Sequence, residues 1–170
     1  INYEFKYNDN AFAKNSKKEK KIILTFDQSG EPSFKSIIRN FHSEQKLVQE
    51  LLAEGFIIND ADNLEFKDCV EEFDTIHYFI SIKNKIDLSK YQIIPAEIDG
   101  KVICLKASEI KTSYQKELDW FDVYASVRIG DIEIPFNKLL KNIKNNNSLY
   151  NLENGEIFII PKEWFAKFEL

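Results

Sequence analysis

Leu118-Asp119-Trp120-Phe121-Asp122-Val123-Tyr124-Ala125-Ser126-Val127-Arg128-Ile129-Gly130-Asp131-Ile132-Glu133-Ile134-Pro135 is the stretch on which the reading of the fold turns. Val123 to Ile129 is a strand by its alternation. Gly130-Asp131 sits where a two-residue turn would reverse it, and Ile132-Glu133-Ile134 alternates as the returning strand. Successive strand side chains point to opposite faces, so Phe121, Val123, Ala125, Val127 and Ile129 share one apolar face, the core side. Leu118, Trp120, Asp122, Tyr124, Ser126 and Arg128 fall on the other. Trp120 thus points away from the main apolar stripe, and two readings are open. Another element covers it, for example the helix bearing Trp164, Phe165 and Phe168, in keeping with the usual burial of tryptophan. Alternatively it docks a partner, since aromatic anchors dominate interfaces. Trp120, Tyr124 and Trp164 are the candidate interface residues.

Downstream, Pro135 opens a short helix with Leu139, Leu140 and Ile143 on one face. Tyr150 to Leu152 and Ile157 to Ile160 flank Asn154-Gly155, a strong hairpin signal. Pro161-Lys162-Glu163-Trp164-Phe165 begins a last helix. The segment therefore closes the chain as helix–hairpin–helix.

Working upstream, residues 2–7 form a strand with Tyr3, Phe5 and Tyr7 on one face. Asn8 to Lys21 is a polar connection whose Lys14, Lys17, Lys18, Lys20 and Lys21 suit a solvated loop. Ile22 to Phe26 is a strand, Asp27-Gln28-Ser29-Gly30 a turn, and Phe34 to Arg39 extended. A helix from Phe41 carries Leu47, Val48, Leu51 and Leu52 in one stripe and ends at Gly55. Phe56 to Ile58 and Leu64 to Phe66 are short strands. Val70, Phe73, Ile76, His77 and Ile80 recur at helical spacing. Extended segments follow around Tyr91 to Ile94 and Lys101 to Leu105, and Ser108 to Glu117 is a polar surface connection. Short strands near hairpin turns favour a mixed or antiparallel sheet over a doubly wound one, so the class is α+β.

At 170 residues the chain suits one domain, residues 1–170, with residues 118–170 a possible subdomain. Hydrophobic residues make up 44% and aromatic ones 14%, enough for a substantial core. There are fourteen Phe and no Met, the sequence starts within a strand-like alternation, and it ends on apolar residues. Both ends read as cut, and the expectation is a fragment of a longer protein. A net charge of −5 and a pI near 5.2 argue against a domain built chiefly to grip phosphates. No apolar run reaches the roughly 18 residues a membrane helix needs, and no signal peptide is visible. Cys69 and Cys104 stand far apart without a C-x-x-C partner and read as buried thiols. A cytoplasmic protein with no membrane partner is expected.

Residues fit for chemistry are sparse. The glycines at 30, 55, 100, 130 and 155 are isolated, so neither a phosphate loop nor a dinucleotide fingerprint is present. His77 lies in an apolar helical stripe and reads as a hydrogen-bonded core or boundary histidine. His42 sits near a helix start, where Ser43 could cap and Glu44 would favour the dipole, and lacks zinc-binding H-E-x-x-H spacing. No G-x-S-x-G nucleophile elbow occurs. Glu71-Glu72 and the Asp119/Asp122 pair suit solvated faces. The chain alone is expected not to be an enzyme, with no catalytic, cofactor-binding or metal-ligating residue and no cofactor.

Leu118-Asp119-Trp120-Phe121, the Val127 to Ile134 hairpin, Leu139-Leu140, the Gly155 turn and Pro161-Lys162-Glu163-Trp164-Phe165 together resemble the helicase-associated region upstream of the motor in bacterial Swi/Snf-type helicases. Ile38-Arg39-Asn40 with Glu44 and Leu51-Leu52 through Gly55-Phe56 is similar to that family's R-D…E…L…G-F helix, with Asn40 in place of the usual acid. The resemblance spans most of the chain and is specific in its last third. It implies a non-catalytic accessory domain preceding an ATP-dependent DNA translocase. Its partners would be the motor domains of the same polypeptide, with DNA reached through the parent protein. The parent, not this segment, would be the ATPase.

Two other readings stand beside it. One is a nucleic-acid-binding module, in which Lys138, Lys141 and Lys144, recurring every third residue, give the helix from Pro135 a basic side followed by a hairpin wing. The other is a stand-alone protein-interaction domain.

Overall fold

The computed structural model describes the backbone of residues 1–116 and 121–168, with side chains described except at 113–116, 121–124 and 168. It is α+β, built from antiparallel pairs and helices. The contacts divide the chain into two compact units, Ile1–Val70 and Glu71–Leu170.

The first unit opens with the hairpin β1 (Glu4–Tyr7) and β2 (Asn10–Ala13), in which Phe5 lies opposite Phe12. The polar connection expected from Asn8 therefore contains a strand. β2 has one apolar anchor, Phe12, which is 5% exposed and meets the Tyr7 ring edge-on at 5.7 Å. Lys14, expected in a solvated cluster, instead donates to the Asn2 side chain, the Ala61 carbonyl and Asn63 Oδ1. A second hairpin pairs β3 (Lys20–Phe26) with β4 (Pro32–Ile38), as the alternation of Ile22, Leu24 and Phe26 leads one to expect. Helix α1 (Phe41–Ala53) follows, capped by the Asn40 side chain, which accepts from the Ser43 amide at 3.0 Å. β5 (Phe56–Ile58) and β6 (Leu64–Phe66) pair, bringing the Phe56 and Phe66 rings to 4.1 Å.

The second unit begins with α2 (Asp74–Ile82), shorter than the apolar spacing from Val70 suggests. Val70 is 91% exposed and precedes a turn in which Asp74 Oδ2 accepts from the Glu71 amide at 2.9 Å. Tyr91 to Ile94 is irregular, and extended pairing starts only at β7 (Glu97–Ile98) and β8 (Lys101–Val102). Ser108–Lys116, expected to be a surface connection, is strand β9, which pairs with β10 (Phe121–Ile129) and so extends the sheet β11-β10-β9. An edge strand solvated on one side needs few apolar residues. Ile110, opposite Val127, supplies its contact with the core.

β10 reverses into β11 (Ile132–Pro135) through the expected two-residue turn. Gly130 has φ of 58° while Asp131 is not left-handed, the pattern of a II′ turn, which accepts the strands' right-handed twist. Helix α3 (Phe136–Lys144) then lies on the sheet. The hairpin β12 (Leu149–Asn151) and β13 (Ile157–Ile159) and the final α4 (Lys162–Phe168) complete the unit. The hairpin loop is closed by the Leu152 amide donating to the Glu156 carbonyl at 2.8 Å. Three residues span it, with Gly155 left-handed at the third, so Asn154-Gly155 marks the hairpin without forming a two-residue turn. Val127, Ile129, Leu139 and Ile160 are almost wholly excluded from solvent, and Ala125 packs against them, as the alternation from Phe121 to Ile129 predicts.

Candidate functional site

The residues nominated from sequence fall in different settings. Trp120 and the side chain of Tyr124 lie outside the described residues. Trp164 is half-buried, 6.2 Å from the Phe136 ring and 6.0 Å from that of Phe158, so much of its surface belongs to the core that α4 closes. Lys138, Lys141 and Lys144 do form an exposed row on α3, opposite the face that buries Phe136, Leu139 and Ile143. Lys138 lies 3.6 Å from Glu153 Oε1 with both groups well exposed. A contact of that kind contributes at most about 1 kcal/mol.

A groove of about 540 Å³ in the second unit gathers α2, β13 and α4. Ile159, Ile160 and Phe165 give it apolar surface, and Glu71, Glu72, Asp74, His77 and Lys162 supply polar groups. Lys162 Nζ contacts Glu71 Oε1, and that hydrogen bond raises the lysine above its usual range. Burial holds the His77 imidazole below its ordinary value of 6.5, against the opposing pull of Glu163 and Asp74. His77 is therefore a boundary histidine biased to the neutral form. Among the described residues no group of three or more His, Cys, Asp or Glu is placed to hold a metal ion. None of their helices is long and apolar enough to cross a membrane.

The first unit contains a constellation only partly foreseen. Arg39 Nε donates to Glu44 Oε1 at 2.9 Å and its terminal nitrogen to Glu44 Oε2 at 2.6 Å, a two-pronged pair with side chains 1% and 6% exposed. The Arg39 guanidinium also donates to the Ser16 carbonyl, and the Tyr7 hydroxyl donates to Glu44 Oε1 at 2.7 Å. The rings of Phe5, Phe12 and Phe41 surround the cation at 5.6, 5.2 and 4.5 Å. Hydrogen bonding to Glu44 raises Arg39, and burial together with the Glu44 contact raises the Tyr7 phenol. Such a cluster, satisfied on both charges, joins β1, β2 and the start of α1. The resemblance singled out Arg39 and Glu44 as charged positions of a helix start. Their burial, and the part played by Tyr7, carry no local signal.

One further surface lay unremarked in the sequence. Ile22, Leu24 and Phe26 of β3 and Phe34 and Ile38 of β4 are 60%, 48%, 65%, 74% and 70% exposed. Leu24 lies opposite Phe34, and by alternation all five share one face of the hairpin. Ile37, on the opposite face, is 7% exposed. Compared with protein-family models, with curated proteins and with solved structures, the chain finds no match.

Proposed function

We propose that this chain is a non-catalytic accessory domain of a bacterial Swi/Snf-type DNA translocase, acting in the cytoplasm through the motor domains of the same polypeptide. The observation that supports it is the way the separate motifs of the resemblance pack. Val127, Ile134, Leu139 and Trp164–Phe165 come from four different elements and meet on one core. A shared core places these segments in one folded unit, as a single accessory domain requires. Upstream, Arg39 pairs with Glu44, and Asn40 serves as helix cap in the place where the family has an acid, a role Asn and Asp fill alike.

Reading the coding frame beyond codon 170 tests this directly. An in-frame phosphate loop followed by a DExH box is expected; a stop codon shortly after Leu170 would overturn the proposal.

The exposed lysine row of α3 favours a second reading, direct contact with DNA phosphates. Anisotropy titration of a duplex would then show affinity falling with salt, and glutamine at Lys138, Lys141 and Lys144 would lower the log–log slope by about 2–3. Absence of binding at low salt rules it out.

A further inference from the structure

We infer that the β3–β4 hairpin is a self-association surface, on which a second copy of this chain docks face to face about a two-fold axis. Five large apolar side chains, Ile22, Leu24, Phe26, Phe34 and Ile38, stand between 48% and 74% exposed on that face. With side chains of this size, they present roughly 600 Å² of contiguous apolar surface, the upper end of what a monomer carries in one patch. Lys20 and Pro32 lie on the same face at its two ends, and Ser36, opposite Ile22, lies within it. Together the patch approaches the roughly 800 Å² per partner that a stable interface needs. On the other face only Ile37 is buried and Ile23 partly so, while Lys21, Thr25, Ser33 and Lys35 are polar and exposed. The hairpin's exposed apolar surface is therefore concentrated on the face of Ile22, Leu24, Phe26, Phe34 and Ile38.

The distribution of charge selects the occupant and its orientation. The base of the hairpin carries Lys18, Glu19, Lys20 and Lys21, a net positive group, whereas its tip carries Asp27 and Glu31. Lys20 lies on the apolar face and Lys21, opposite Ile37, on the other. The Asp27 carboxylate is fixed in the turn, accepting from the Ser29 amide at 2.9 Å, the Ser29 hydroxyl at 2.6 Å and the Glu31 amide at 2.9 Å. Seven-residue strands extend about 20 Å. Two such hairpins stacked about 10 Å apart with opposite polarity place the acidic tip of each over the basic base of the other. Stacked with the same polarity, they would oppose like charges at both ends. An isologous contact repeats each pairing twice, so a surface that is apolar in its middle and oppositely charged at its ends complements itself.

Sedimentation equilibrium of the 170-residue chain across a micromolar concentration series tests the inference. The expected result is a monomer–dimer equilibrium in that range, weakened at least tenfold by Phe34→Ser and weakened by raised salt. Because Phe34 is 74% exposed, its loss leaves the fold intact, which circular dichroism verifies. Lys20→Glu and Glu31→Lys should each weaken the dimer, and combining them should restore it, a rescue that general hydrophobic adhesion cannot produce. A monomer at every concentration overturns the inference and leaves the face to a different protein. Association unchanged by Phe34→Ser, or open-ended assembly through the strand edges, overturns it equally.

Discussion

Replacing Glu44 by glutamine would expose how strongly the first unit depends on its buried ion pair. Glutamine preserves the volume and one carbonyl oxygen, so no cavity opens and the change isolates the charge. Arg39 remains 1% exposed with no counter-ion, while Tyr7 keeps an acceptor of reduced strength. Removing one partner of a buried pair costs about 3–5 kcal/mol, because the surviving charge is uncompensated. The Ser16 carbonyl and the rings of Phe5, Phe12 and Phe41 stay in place and offset part of this. The expected loss is therefore at the lower end, about 3 kcal/mol. In a unit the size of Ile1–Val70 each kcal/mol moves the midpoint by about 4–8 °C, so a fall of about 12–24 °C follows. Both tryptophans, at 120 and 164, lie outside that unit, so their fluorescence does not report on it. Hydrogen exchange read by mass spectrometry on peptides from residues 1–70 does. The double variant Arg39→Met with Glu44→Leu should be more stable than either Arg39→Met or Glu44→Leu alone, and the cycle of those three should give a coupling energy of at least about 2 kcal/mol. A loss in Glu44→Gln below about 1 kcal/mol, the value of an exposed pair, would refute the reasoning. So would equal destabilisation of peptides from residues 71–170.

Three further outcomes are expected. Leu139→Ala, at a position with no solvent exposure in the second core, should cost about 2–5 kcal/mol, followed by denaturant unfolding through Trp164, which borders the same core. His77 has a folded-state value below 6.5, so the unfolded chain takes up its proton first as pH falls; the second unit should lose stability below about pH 6.5, and His77→Asn should flatten that dependence. Cys104 is 2% exposed and its thiol is pushed up by burial, whereas Cys69 is half-buried, so iodoacetamide should label Cys69 well before Cys104 in the native protein, as peptide mass mapping would reveal; equal rates would contradict this packing.

Local signals specified much of the α+β architecture. The alternation from Val123 to Ile129, the Gly130-Asp131 reversal, the Gly155 loop and the stripe of α1 depend on residues only a few positions apart, and each stands where local sequence put it. Asn10–Ala13 and Ser108–Lys116 escaped notice because a strand with one solvated side reads as a polar connection until its partner is known. The candidate surfaces were less legible. Trp164 could be recognised as an aromatic anchor, but its neighbours Phe136 and Phe158 are set by how α3, β13 and α4 meet. The Arg39 charge has its partner five residues on at Glu44, yet burying the pair takes rings from β1 and β2 and the Tyr7 hydroxyl, 37 residues from Glu44. Sequence determined that β3 and β4 each alternate; only the tertiary structure decided which side faces inward. Period-two patterning defines two faces and assigns neither to the interior. Ile37 went inside, and Ile22, Leu24, Phe26, Phe34 and Ile38 were left facing water.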